Sequence, residues 1–279
     1  MNLTELRAQA RLSLRQIRGV FPLFFPPILI NFLHLLFAPR SASIEEKAQL
    51  NWQEFVRQEV GHQAFPIVLN FIISIFLVSA SFALMDLLRH KKESLGLKDA
   101  FIAFRSDKLK YVFPVLAVRE VLLLFWNGLL SFGSLLTAFS SYKITYVSQQ
   151  VNLDQGTRNL PKELVQTVNS YGPNLFWGLI ILVIGLAIII PFYYSYSQAV
   201  FLLYDQLVEG TYQGSWRLIA QSRKLMRGYK RQRFLLDLSF IIWQLLAFLS
   251  MGLANFLVYP YMLLAQIFFY QAIIHKKSD

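Results

Sequence analysis

Six stretches of this sequence run for eighteen or more residues with hardly a charge, at about 19–37, 65–88, 111–138, 174–204, 233–250 and 254–274. No other feature constrains the fold as strongly. About 20 apolar residues cross the ~30 Å hydrocarbon core as a helix. Lipid offers no partners to peptide groups, so each crossing segment must satisfy its own backbone hydrogen bonds. The stretches therefore predict an all-α, polytopic helical membrane protein with six spans. The composition agrees, with 55% hydrophobic residues and a mean hydropathy of +0.44.

The charges set the expected orientation. Nineteen of the 27 Lys and Arg residues fall in 1–18, 89–110, 205–232 and the tail after 274. The alternate loops, 38–64 and 139–173, hold only Arg40, Lys47, Arg57, Lys143, Arg158 and Lys162. Positive loops stay on the cytoplasmic side, so both termini are expected inside. A net charge of +11 would suggest nucleic acid in a soluble chain. Here the cations flank membrane segments, where anionic lipid headgroups are the nearer partner. The start, "RQIRGVFPLFFPPILINFLHLLFAPRSAS", also has the look of a signal peptide with a small-residue site at Ser41–Ser43. Its apolar part exceeds the usual ~7–15 residues, so a retained first span is expected.

The chain reads as one integral-membrane domain over 1–279 holding three related units, about 1–88, 89–204 and 205–279. "RGVFPL" parallels "KYVFPV", and "REVLLLFW" parallels "LDLSFIIW", with Glu120 over Asp237 and Trp126 over Trp243. "SFALMDLL" parallels "VFLLYDQL", with Asp86 over Asp205, and Gln271 takes the acid's place in "IFFYQAII". Weak internal symmetry of this kind is common in transporters. Each unit opens on a basic amphipathic segment, of a type that lies in the membrane interface. Together these form an expected headgroup-facing collar: Arg11, Arg15 and Arg18, then Lys108 and Lys110, then Arg223, Lys224, Arg227, Lys230 and Arg231.

Four charges inside apolar runs form the candidate polar site: Arg119, Glu120, Arg233 and Asp237. Asp237 interrupts "FLLDLSFIIW" four residues after Arg233, a spacing that stacks both on one helix face. Either the two pair locally, or Asp237 faces the bundle interior and meets another unit, a cation, a proton or a headgroup. Glu120 lies about 13 Å into its span. Unpaired, it would cost at least ~2.5–3.5 kcal/mol, so a partner is expected. Neighbours on a helix point about 100° apart, so that partner need not be Arg119; either Asp237 or Arg233 of the parallel unit supplies it as a structural pair, or Glu120 lines a water-filled polar cavity. Asp86 and Asp205 end even-numbered spans and should bond nearby Lys or Arg. Asn31 and Asn70 could bond between helices, and prolines such as Pro22, Pro26, Pro27 and Pro191 should bend or break spans.

The segment "SIEEKAQLNWQEFVRQEVG" carries apolar residues at helical spacing and is expected on the outer leaflet. The polar connection around 139–173 could cap an entrance. There is no Cys, the four His are scattered, and G-x-x-x-x-G-K-[ST], H-E-x-x-H and G-x-S-x-G are missing. No metal, cofactor or enzymatic activity is expected.

"SRKLMRGYKRQRFLLDLSFIIWQLLAF", followed by "YPYMLLAQIFFYQA", resembles a bacterial integral-membrane family known as domain of unknown function 975. The resemblance rests on Leu225, Met226, Arg227, Gly228, Phe234 to Phe240, Trp243, Pro260, Tyr261 and Tyr270. The first two thirds match in architecture and in the opening "LRAQARLSL". The resemblance implies a protein of the plasma membrane of bacteria, mostly Gram-positive, and no established activity. At fold level it is also similar to the membrane domain of some glycerophosphodiester phosphodiesterases, which hints at lipid proximity. The expected function is transport-type or lipid-handling, with a polar intramembrane site. The alternative is a non-transporting accessory or scaffold protein for a membrane-protein partner. The sequence leaves the oligomeric state open.

Overall fold

The computed structural model describes residues 2–37, 43, 46, 50–150 and 161–278. Among these there are helices and no strand. In chain order they are α1 (Leu3–Gln16), α2 (Val20–Leu23), α3 (Phe25–Phe37), α4 (Trp52–Leu88), a 3-10 helix (Leu97–Phe104), α5 (Ser106–Gln150) and α6 (Lys162–Tyr196). Then follow α7 (Ala199–Glu209), α8 (Ser215–Leu225), α9 (Lys230–Leu238), α10 (Ile241–Leu249) and α11 (Asn255–Ser278).

Among the described residues four helices are long and apolar enough to cross a membrane: α4, α5, α6 continued through α7, and α11. The count becomes five if α9 and α10, bent by 43° at Ser239–Phe240, form one span. The bend has a local cause. Phe240 N–H donates to the Asp237 carbonyl, three residues back, at 3.0 Å, and Ser239 Oγ donates to the Leu236 carbonyl at 2.6 Å. Both tighten the turn away from α-helical geometry. The stretch expected to span at 19–37 forms α2 and the 13-residue α3 instead, short of the spanning length. Pro26 and Pro27 lie in the first turn of α3, where a missing N–H is harmless, so the helix starts afresh there.

The long helices also run further than the loops of the sequence reading allow. α5 has 45 residues, about 68 Å, and α6 begins at Lys162, so 139–150 and 162–173 of the expected connection are helical. The middle of the expected cap, 151–160, lies outside the described residues, as do Ser41, Ala42 and much of 44–49. From Trp52 onward, the segment expected on the outer leaflet is the first part of α4 itself. The reason is tertiary: Phe55 stacks on Tyr142 at 4.4 Å between ring centroids, and Trp52 meets Phe139 edge-on at 5.3 Å.

Contacts divide the chain into two compact units. One comprises Pro39–Leu69 and Leu122–Phe192. Its helices are joined by the aromatic cluster just described, with Phe139 against Tyr171 at 5.6 Å and Trp126 stacked on Phe192 at 3.7 Å. Between α5 and α6 small residues let the backbones meet. A Cβ added at Gly133 would lie 2.9 Å from the Gly178 carbonyl oxygen, and one at Gly178 would lie 2.4 Å from Thr137 Oγ1. Close approach through small residues is how helices gain packing in lipid, where apolar surface alone provides no drive.

The other unit comprises Met1–Ala38, Asn70–Val121 and Tyr193–Asp279. α1 starts on an Asn2 cap, whose side chain accepts from the Thr4 N–H at 3.1 Å. It buries Leu6 and Ala10 against α11. Gly19 then turns the chain at φ 78°. A Cβ there would lie 1.9 Å from the Leu95 carbonyl oxygen, so only glycine fits. Asn31 donates to the Tyr259 hydroxyl at 3.3 Å, an interhelical bond of the kind its position suggests.

The long helices differ in burial. The apolar windows of α4 and α11 are each 56% buried within the chain, those of α5 and of α6–α7 only 6% and 11%. Phe125 and Phe248 are 73% and 79% exposed. Apolar surface on that scale belongs in hydrocarbon or against another membrane protein. This is a helical membrane protein.

Candidate functional site

Arg233 is one of the most buried charges in the chain. Its side chain is 4% exposed, and its Nη1 donates to Asp237 Oδ1 at 2.5 Å across one turn of α9. The guanidinium carbon lies 5.8 Å from the centroid of Phe269. The acid inside "FLLDLSFIIW" is thus neutralised by the arginine four residues before it. The pair leaves one loose end: Arg233 Nε is buried and has no partner among the described residues.

The second pair joins two neighbours in the sequence, Arg119 and Glu120. Glu120 Oε1 accepts from Arg119 Nε at 3.0 Å and from Arg119 Nη2 at 2.5 Å. No ion pair links it to Arg233, and none links Arg119 to Asp237, among the described residues. The 100° angle between neighbours constrains Cβ directions, but a guanidinium on a three-carbon stem can sweep round to meet the next side chain. Ser74 of α4 fixes that turn, accepting from Arg119 Nη2 at 3.2 Å.

Asp86 at the end of α4 and Asp205 in α7 anchor a network with tyrosines of α7 and α11 that the sequence reading missed. Tyr204 OH donates to Asp86 Oδ1 at 2.5 Å, and Tyr270 OH donates to Asp205 Oδ2 at 2.6 Å. Arg89 completes Asp205 with an ion pair at 2.6 Å and lies over the Tyr204 ring at 5.0 Å. Both tyrosines are buried, at 1% and 0% exposure, and a buried phenol needs a partner for its hydroxyl. Asp205 therefore meets Arg89 as expected, whereas Asp86 takes a tyrosine in place of a cation. A signal was available: each tyrosine directly precedes the repeated acid or its replacement, in "LYDQL" and "FYQAI".

Each amphipathic segment packs on the end of a span. The 3-10 helix lies on α4, with the Ala103 N–H donating to Ser79 Oγ at 3.0 Å and Phe104 against Phe76 at 4.7 Å. α8 lies on the end of α6, where Ser222 Oγ donates to the Ser195 carbonyl at 3.0 Å. Lys277 of α11 caps α8 by donating to the carbonyls of Lys224 and Leu225, each at 3.1 Å, which also suits the negative end of that helix. α1 lies on α11.

Of the ten collar cations, Arg11, Arg15, Arg18, Lys110, Arg223, Lys224, Arg227 and Arg231 are exposed. Lys108 and Lys230 are half-buried, with Lys108 Nζ 5.5 Å from the Phe82 ring. The ion pairs among the described residues use Arg89, Lys92, Arg119 and Arg233. The collar cations are in none of them. The described residues hold no group of three or more His, Asp or Glu placed to bind a metal ion.

No curated protein and no solved structure matches the chain. A protein-family model does match, over residues 1–277, under the description protein of unknown function (DUF975). The match covers both compact units and every residue discussed above, and the chain belongs to that family.

Proposed function

We propose that the chain is a non-enzymatic, multi-pass protein of the bacterial plasma membrane, with both termini cytoplasmic, that handles or organises lipid by holding anionic headgroups on its basic collar. The observation that carries this reading is the division of the cations. Those near acids are spent inside the protein; the ten of the collar have no acid to pair with among the described residues. Juxtamembrane cations attract anionic lipid by about 1 kcal/mol each. A phosphodiester headgroup supplies the counter-charge that the chain lacks.

Solute transport through a charged interior draws less support. Glu120 and Asp237 are each paired with an arginine of their own helix, so the charge of each carboxylate is already balanced locally. The scaffold reading keeps one observation in its favour: the thinly buried faces of α5 and α6–α7 could meet a membrane partner as well as lipid.

The threefold repeat belongs to the same proposal and has geometric support. Tyr204 of the second unit bonds Asp86 of the first, and Tyr270 of the third bonds Asp205, where the second unit passes into the third. The amphipathic segment of the second unit packs on the even span of the first, that of the third on the second, and that of the first on the third. Trp126 and Trp243 each pack on a ring of the following span, Phe192 and Tyr261. Three equivalent collars would then present their cations around one end of the bundle.

The test is native mass spectrometry from nanodiscs of phosphatidylglycerol and phosphatidylethanolamine. Wild type should leave the disc enriched in phosphatidylglycerol. Arg223→Ser/Arg227→Ser/Lys230→Ser should lose much of that enrichment, while Glu120→Gln and Asp237→Asn should keep it. A wild type with no preference for the anionic lipid sinks the reading.

A further inference from the structure

The acid–tyrosine seams described above close two of the three places where the even spans end. The third is different. Gln271 stands where the other units have Asp86 and Asp205, and its amide makes no hydrogen bond among the described residues. Beside it, α1 and α11 line an open cleft of about 500 Å³, within the usual ~300–1,000 Å³ of ligand pockets. Its lining includes Glu5, Leu6 and Gln9 of α1 and Phe268, Gln271 and His275 of α11.

We propose that this cleft binds an uncharged polyhydroxyl group, the chemistry shared by a sugar and a glycolipid head. The proposal goes beyond headgroup binding on the collar and uses none of its cations. Three features of the lining point to it. No Lys or Arg lines the cleft, so an anion finds no lysine or arginine to pair with there. A cation would approach against the field of a chain carrying +11 and would find one carboxylate, Glu5, already taking a hydrogen bond from Asn2 at 2.9 Å. The amides of Gln9 and Gln271 each offer donor and acceptor together, which matches hydroxyls, since they also do both. Phe268 and Leu6 give the C–H face of a sugar ring an apolar surface. The repeat explains why the site occurs once: a carboxylate at position 271 would demand a tyrosine or arginine, as it does at the other two seams, and would close the cleft.

The experiment uses the full chain in phosphatidylglycerol nanodiscs containing monoglucosyl diacylglycerol or, in parallel, diacylglycerol. Native mass spectrometry reads the lipid retained. Saturation-transfer NMR with methyl glucoside reads the free sugar. Wild type should retain the glucosyl lipid over diacylglycerol, or show methyl glucoside contacts; the first outcome assigns the site to a glycolipid head, the second to a free sugar. Gln9→Leu/Gln271→Leu should weaken the effect about tenfold, the loss of two neutral hydrogen bonds. Gly128→Ala, outside both the cleft and the collar and with open space around its Cβ, should not. If the double variant fails to melt cooperatively, Gln9→Met and Gln271→Met singly should each cost about threefold. Equal retention of both lipids with no methyl glucoside signal overturns the proposal, as does a folded cleft variant that binds like wild type. Collar binding of phosphatidylglycerol would survive either result, so the two readings fail separately.

Discussion

Gly178→Ala adds one methyl group where α5 and α6 touch, and the structure fixes what it meets. The new Cβ would lie 2.4 Å from Thr137 Oγ1, 3.1 Å from the Gly133 carbonyl oxygen and 3.1 Å from the Thr137 nitrogen. Ordinary contacts between such atoms start near ~3.5 Å. Thr137 can rotate only by giving up its bond to the Gly133 carbonyl, at 2.9 Å, and the two backbone contacts remain whatever it does. The helices must therefore separate, and overpacking of this kind costs about 1–3 kcal/mol. Alanine also brings up to ~1 kcal/mol of helix propensity, which would blur a single measurement. Gly128→Ala removes that ambiguity. It lies on the same helix as Gly133 with nothing within 4 Å of its Cβ, so it gains the propensity without the clash. Unfolding both variants with SDS in mixed micelles, followed by tryptophan fluorescence, should find Gly178→Ala less stable than Gly128→Ala by about 1–3 kcal/mol. Thr137→Ala in the same background should recover part of the loss by removing the nearest atom. If the two glycine variants agree within about 0.5 kcal/mol, the close approach of α5 and α6 is wrong.

The other predictions address the charges and the first turn of the chain. Asp237→Ala should cost about 3–5 kcal/mol, because it strands a buried guanidinium; adding Arg233→Leu should return much of it in the same unfolding assay, and no recovery would mean the pair is not the source. Tyr270→Phe removes one bond to a charged Asp205 and should cost about 1.5–3 kcal/mol, with Arg89→Ala in a double-mutant cycle revealing coupling through the shared carboxylate; additive losses would contradict the network. Gly19→Ala combines a positive φ with a Cβ 1.9 Å from Leu95 O and should lower the melting temperature more than any other Gly→Ala change, by the equivalent of about 2 kcal/mol or more; a neutral effect would refute the turn.

Periodicity and run length made the helices legible, because lipid allows a spanning backbone few options. They could not set the ends. α4 and α5 continue past the hydrocarbon stretch because Phe55, Trp52, Phe139 and Tyr142 find one another, and such contacts lie about ninety residues apart in sequence. The same limit explains which pairs could be read. Arg233 and Asp237 are one turn apart, so their meeting is a property of any helix. Arg119 and Glu120 pair because Ser74 of another helix holds the guanidinium in place, and a one-helix projection contains no Ser74. The acid–tyrosine bonds show the limit in its strongest form. Tyr204 and Tyr270 sit beside Asp205 and Gln271 in the chain, yet they serve acids 118 and 65 residues away. What the sequence carries, on the repeat proposed above, is their common place in it. If one unit fixes a tyrosine next to an acid, and each tyrosine reaches the acid of the unit before it, then adjacency in sequence encodes a contact between units. The two residues are neighbours because they belong to opposite sides of two successive seams. On that logic Gln271, with a tyrosine before it and no tyrosine reaching it among the described residues, is the position at which the series ends, and the cleft against α1 opens there.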